Sequence, residues 1–138
     1  TSVWQQEVSS TIYQAVKAYC KPIGVTPFGF LQTVFQLAVS HITGASDFLI
    51  GTPTMGRSGK SMDKVVGDFA NPVVLRANID QNLSIKALML RSRATLLAAM
   101  EHQECPFPIV VQDCNPPRDS SRTPLFQLMF IWHQGNQE

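Results

Sequence analysis

The chain has 138 residues, 44% of them hydrophobic and 15% charged, and eleven Lys and Arg against ten Asp and Glu leave a net charge of +1. That length serves one domain or subdomain with a real core, and the scarcity of charge implies a surface partly covered by a partner or by more of a longer polypeptide. The charge balance supplies no field for nucleic acid, no apolar run reaches membrane-spanning length and no signal peptide opens the chain, so a cytoplasmic setting is expected.

The first predicted element is a helix from Val3 to Cys20, with Val8, Ile12, Ala15, Val16 and Tyr19 on one stripe. Ser2 and Gln5 offer a capping box at its start, and Pro22 and Gly24 end it. Thr26 and Pro27 then read as an N-cap and first helical residue. The helix they open carries Leu31, Val34, Phe35, Ala38, Val39 and Ile42 on a face expected to be largely buried, and stops at Gly44.

A short strand is expected at Asp47 to Thr52, followed by a polar loop from about Pro53 to Lys64. Within it, Gly51 to Ser61 ends in Gly-Lys-Ser and imitates a phosphate-binding loop. Such a loop needs glycine at the position of Thr54, and a long helix after it, so the segment is read as a polar surface loop. Pro72 to Ile79 is a second strand, with Val73, Leu75, Ala77 and Ile79 on one face and Val74, Arg76 and Asn78 on the other. Arg76 is expected to lean inward.

Ser84 caps a third helix with the stripe Ile85, Leu88, Met89, Leu96, Leu97 and Met100. Cys105 to Pro124 holds five of the nine prolines, so it should be extended, with at most a short helix at Ile109 to Asp113. Leu125 to His133 is the last strand, apolar on both faces and therefore expected inside a covered sheet. Alternating helices and strands make the class α/β. Three strands are few for a free-standing domain, and the others are expected after Gly56 or from a larger protein. The start at Thr1 fits that incompleteness.

Cys20, Cys105 and Cys114 form an odd count without CxxC spacing, which suggests free buried thiols in a reducing compartment. His41, His102 and His133 share no ligand spacing with them, so no zinc site is expected. A nucleophilic pair of Cys105 with His102 is the weaker alternative to simple packing. His41 and His133, at the ends of apolar elements, are expected to be hydrogen-bonded structural residues.

Three clusters carry more information. Val66 to Arg76 reads VGDFANPVVLR; His102 to Phe107 reads HQECPF; Arg118 to Phe126 reads RDSSRTPLF, where two arginines flank Asp119 and promise an ion-pair knot. In order and spacing they resemble the last three core motifs of nonribosomal peptide synthetase condensation domains. Gly67, Phe69, Asn71 and Arg76 match the first. His102, Gln103, Pro106 and Phe107 match the second, and Arg118, Asp119, Ser121, Arg122, Pro124 and Leu125 the third. The stretch from Gly24 to Arg57 is similar to the family as well. Ala70, Pro72, Glu104 and Pro108 depart from the usual residues, and Pro72 is expected to alter the local strand pairing. Phe69-Ala70-Asn71-Pro72 places condensation ahead of the sister epimerisation and heterocyclisation domains.

The resemblance implies a chloramphenicol acetyltransferase-like half-domain spanning residues 1–138, the C-terminal half of a V-shaped pair with a substrate tunnel between the halves. It implies that carrier proteins of adjacent synthetase modules bring thioesters on phosphopantetheine arms, with no cofactor bound directly to this half. The family's catalytic His-His-x-x-x-Asp-Gly lies in the N-terminal half, and this chain has no adjacent histidines. Gly67, Phe69, Asn71, Arg76, His102 and Gln103 become candidates for the tunnel or the interface, with Asn71 and Arg76 the main polar ones. Pro106, Phe107, Arg118, Asp119, Ser121, Arg122 and Pro124 become candidates for structure. The expected partners are the N-terminal half, carrier proteins and, through an exposed half-interface, a second copy. The alternative is an acyltransferase-like scaffold that binds a carrier without chemistry.

Overall fold

A computed structural model of the chain describes residues 2–54 and 71–133. Helix α1 spans Ser10–Cys20, a 3₁₀ turn Lys21–Ile23, α2 Pro27–Thr43, β1 Asp47–Thr54, β2 Asn71–Asn78, α3 Ile85–Glu101, α4 Phe107–Cys114 and β3 Leu128–Met129. The strands form one mixed sheet in the order β2-β1-β3. Among the described residues no single helix is long and apolar enough to cross a membrane.

The helix boundaries follow local chemistry. The hydroxyl of Ser9, not Ser2, caps α1 by accepting from the Ile12 N–H at 3.3 Å. Val3 and Trp4 lie exposed ahead of it, so the proposed capping box does not form. Without apolar burial, that polar first stretch has too little to offset the cost of nucleating helix. Gly24, at φ 77°, ends the 3₁₀ turn. Thr26 accepts from Gly29 N–H at 3.1 Å, Pro27 occupies the first turn and Gly44 closes α2 at φ 73°, as expected. Ser84 caps α3 through Ala87 N–H at 3.2 Å. Helix α4 covers the short helix expected there and extends it by two residues at the start and one at the end.

The buried face of α2 differs from expectation. Gly29, Gln32, Thr33 and Gln36 are buried, at the i, i+3, i+4, i+7 spacing of a single face. The apolar stripe is only partly covered: Phe28 and Phe35 meet the ring of Phe130 and Leu31 and Val39 are half-buried, but Val34 is 45% exposed and Ile42 is 81% exposed. Likewise α3 buries Leu88, Met89 and Ser92 while Ile85 and Leu97 stay exposed.

β1 and β2 pair antiparallel without interruption from Asp47↔Asn78 to Thr54↔Asn71. Residues opposite each other share a face, so Ile50, Thr52, Val73, Leu75 and Ala77 form the buried side of the hairpin. The alternation expected for β2 is the one observed. Pro53 stands opposite Pro72. The carbonyl of Gly51 accepts from Phe130 N–H, so Gly51 turns its polar groups toward β3, and by alternation Pro53 does too. Neither proline therefore removes a rung of the β1–β2 ladder, and Pro72 leaves the pairing intact.

The last strand is the largest departure. β3 is two residues long, runs parallel to β1 through Ile50↔Leu128 and Gly51↔Met129, and lies exposed at the edge. Its neighbours still pack inward: Phe126 is buried, Phe130 sits under α2, and Trp132 stacks on Tyr13 at 6.1 Å. The strand expected to be covered on both faces is therefore covered at Phe126, Phe130 and Trp132, while Leu128, Met129 and Ile131 stay exposed.

Candidate functional site

Asn71 opens β2 and is anchored there by its pairing with Thr54, whose hydroxyl donates to the Asn71 carbonyl at 2.7 Å. Its side chain then reaches the turn that joins α3 to α4. Nδ2 donates to the carbonyls of Gln103 at 2.9 Å and Cys105 at 2.8 Å, and Oδ1 accepts from the Phe107 N–H at 3.0 Å. The turn is shaped for this: His102 ends α3, and its carbonyl accepts from Cys105 N–H at 3.0 Å. Pro106 holds the N-cap position of α4 and has no side-chain donor or acceptor to cap it. Asn71 satisfies from another element one of the amide groups that a helix start leaves open.

The ring of Phe107 meets that of Phe126 with centroids 5.5 Å apart. Phe126 in turn lies against Gly51, where a Cβ would come within 2.5 Å of the ring. Phe126 is aimed there by a γ-turn: its N–H bonds to the Pro124 carbonyl at 2.9 Å across Leu125, which is held at φ 69°. Such a φ is strained for leucine and persists only where surrounding contacts impose it. One contiguous corner therefore joins all three sequence clusters, through Asn71, the His102–Phe107 turn and Pro124–Phe126.

Arg76 does not lean inward. It lies on the opposite sheet face from the buried Leu75, 66% exposed, and grips Asp47 with Nε to Oδ1 at 2.9 Å and an Nη to Oδ2 at 2.6 Å. Those hydrogen bonds, more than the charge of the guanidinium, hold the Asp47 carboxyl below its ordinary range. The third cluster forms a smaller knot than expected. Asp119 accepts from the Ser121 hydroxyl at 2.6 Å and N–H at 2.9 Å, which lowers its pKa, and lies 3.5 Å from Arg122. Arg118 joins no ion pair among the described residues.

The other candidates divide cleanly. Gln103 contributes its main-chain carbonyl, and His102 is exposed. Gly67 and Phe69 lie outside the described residues, as does the Gly-Lys-Ser segment from residue 55 onward. Cys105 and Cys114 are exposed, so only Cys20 is the buried thiol expected, its pKa raised by burial. Cys105 and His102 meet through backbone, with no side-chain hydrogen bond between them, so the nucleophilic pair is not assembled. His41 and His133 are exposed and make no side-chain hydrogen bond among the described residues, which corrects their assignment as structural histidines. No three His, Cys, Asp or Glu side chains gather to hold a metal among those residues.

Sequence reasoning missed Asp47, Gly51 and Phe126. Phe126 and Gly51 carry no local signal, because their contact joins residues 75 apart in the chain. Asp47 could have been found: it and Arg76 lie diagonally across a hairpin whose two strands were both recognised.

The family described as Condensation domain matches residues 3–138 of the chain. The chain is 35% identical over all of its 138 residues to malpinin synthetase from Mortierella alpina. It is 39% identical over 114 residues, 83% of its length, to a linear gramicidin synthase from Brevibacillus parabrevis. It spans about 2% of the length of each of these. A four-domain nonribosomal peptide synthetase solved with AMP and glycine superposes on 94% of the chain with a TM-score of 0.88 at 25% identity, using 10% of its own length.

Proposed function

Because the chain belongs to the condensation-domain family, we propose that it is the supporting half of an amide-forming catalyst. It walls one side of a tunnel in which an amine on one carrier-bound arm attacks the thioester on another. The C–N bond forms as the C–S bond breaks, and the thiol leaves on the donor's phosphopantetheine. A base is needed to take the amine proton. With no adjacent histidines in its 138 residues, the chain leaves that base to an N-terminal half bearing His-His-x-x-x-Asp-Gly.

One observation carries this reading: the three sequence clusters close into one internally bonded corner, while Val34 and Ile42 on the apolar stripe of α2 stay exposed. The corner makes Asn71 a positioning residue, because its amide already serves three backbone groups. Arg76 is the polar group presented to the tunnel, with Nη1 unengaged among the described residues and Asp47 fixing its direction.

The test is a complete domain in which this chain follows an N-terminal half carrying the histidine motif, assayed for amide formation between two loaded carrier proteins. Arg76→Ala should lower turnover about tenfold or more, as loss of a charged hydrogen bond does, with the melting temperature nearly unchanged. The chain alone should form no amide. If the joined protein binds carrier protein but makes no product, the chain is a carrier-binding scaffold. Undiminished turnover in Arg76→Ala removes the tunnel role from that residue.

A further inference from the structure

Between α2 and α3, which bury Gln36 and Ser92, opens a cleft that shares only Arg76 with the tunnel reading. Its space is about 280 Å³, between α2, the end of β2 and α3, and its lining includes Gln36, Arg76, Asn78, Arg91, Ser92 and Thr95. Gln36 is only 4% exposed and Ser92 only 9% exposed. The Ser92 hydroxyl is fully buried and has no hydrogen-bond partner. An unpaired buried hydroxyl carries its whole desolvation penalty, and native structures rarely keep one without a use.

The charge at this cleft is positive and incompletely compensated. Asp47 neutralises Arg76 through two hydrogen bonds. Arg91 donates one N–H to the Asn78 carbonyl at 3.3 Å, and no carboxylate pairs with it among the described residues. The nearest acid in sequence to this end of β2, Asp80, is engaged in its own turn by accepting from Asn82 N–H. Thr95 donates its hydroxyl back to the Arg91 carbonyl, which steadies the helix turn bearing Arg91 and Ser92. The cleft is therefore lined by Arg91 with N–H groups to spare, by the amide-bearing Gln36 and by Ser92, whose unpaired hydroxyl lies just beneath the wall, a set of donors around one unpaired positive charge. Guanidinium forks of this kind match carboxylate and phosphate oxygens.

We propose that this cleft is a binding site for a small oxyanion, held by Arg91, Ser92 and Gln36. The site is independent of the amide-forming reading, and each can fail without the other.

Inorganic phosphate and acetate, titrated separately into the full chain at low ionic strength, should be followed by ¹H–¹⁵N NMR, with chloride as the matched salt control. Saturable shifts at Arg91, Ser92 and the Gln36 amide are expected with at least one anion. Phosphate alone would identify a phosphoryl ligand, and acetate alone a carboxylate. Arg91→Ala should weaken binding about tenfold or more, and Ser92→Ala several-fold. Ser92→Ala should leave the unliganded melting temperature equal or higher, because the buried hydroxyl has no partner to lose. Arg93→Ala, on the exposed side of the same helix, should bind normally. No saturation with either anion, or equal weakening by Arg91→Ala and Arg93→Ala, would overturn the site.

Discussion

The corner around Asn71 and the outer stripe of α2 are opposite solutions within one short chain. At the corner a polar side chain bonds three backbone partners, and the Phe126 ring, met by Phe107, closes over a glycine. Along α2 the polar Gln32, Thr33 and Gln36 are buried while Val34 and Ile42 face outward. The corner is complete within the chain. The stripe is not: Val34 and Ile42 stay exposed beside the half-buried Leu31, Phe35 and Val39, and exposed apolar side chains grouped in this way are the kind of surface that partners cover. The difference separates a region bonded within the chain from side chains that the described residues leave exposed.

Three substitutions put that contrast at risk. Phe126→Ala should have the largest effect: removing a buried aromatic that fills the space above Gly51 should cost about 3–5 kcal/mol in denaturant unfolding. A loss near zero would show that the corner is not packed as described. Asn71→Ala should come next, at about 1–3 kcal/mol, since it strands the Gln103 carbonyl and the first N–H of α4 in partly buried positions. Hydrogen exchange should then rise at Phe107 and along α4 before it rises in β1 or β2. Ile42→Ser, on the open stripe, should change the stability of the chain alone by no more than about 0.5 kcal/mol. Its effect should emerge only in the joined domain, as weaker association measured between separately produced halves. A large loss in the isolated chain would mean that the stripe is already covered.

Much of the fold was legible in the residues. Thr26-Pro27, Ser84 and Gly44 mark their helix ends because capping is settled within four residues. The faces of β2 follow from strict alternation, which leaves one choice of buried side. The site was legible as three clusters, and Asn71 and Arg76 were singled out, but their partners were not. Asn71 bonds residues 32 to 36 positions away, and Phe126 meets Gly51 across most of the sequence.

Composition, caps and ordered motifs were enough to place this chain as an α/β member of the condensation-domain family, with no adjacent histidines of its own. They were enough because such signals are local or positional. Which face of α2 is buried, how short β3 is and where Asn71 sends its amide were settled only in three dimensions. An apolar stripe shows that a face will be covered, and the sequence period is the same whether the cover lies within the chain or outside it. Only the packed structure shows that α2 buries the polar Gln32, Thr33 and Gln36 and leaves Val34 and Ile42 exposed.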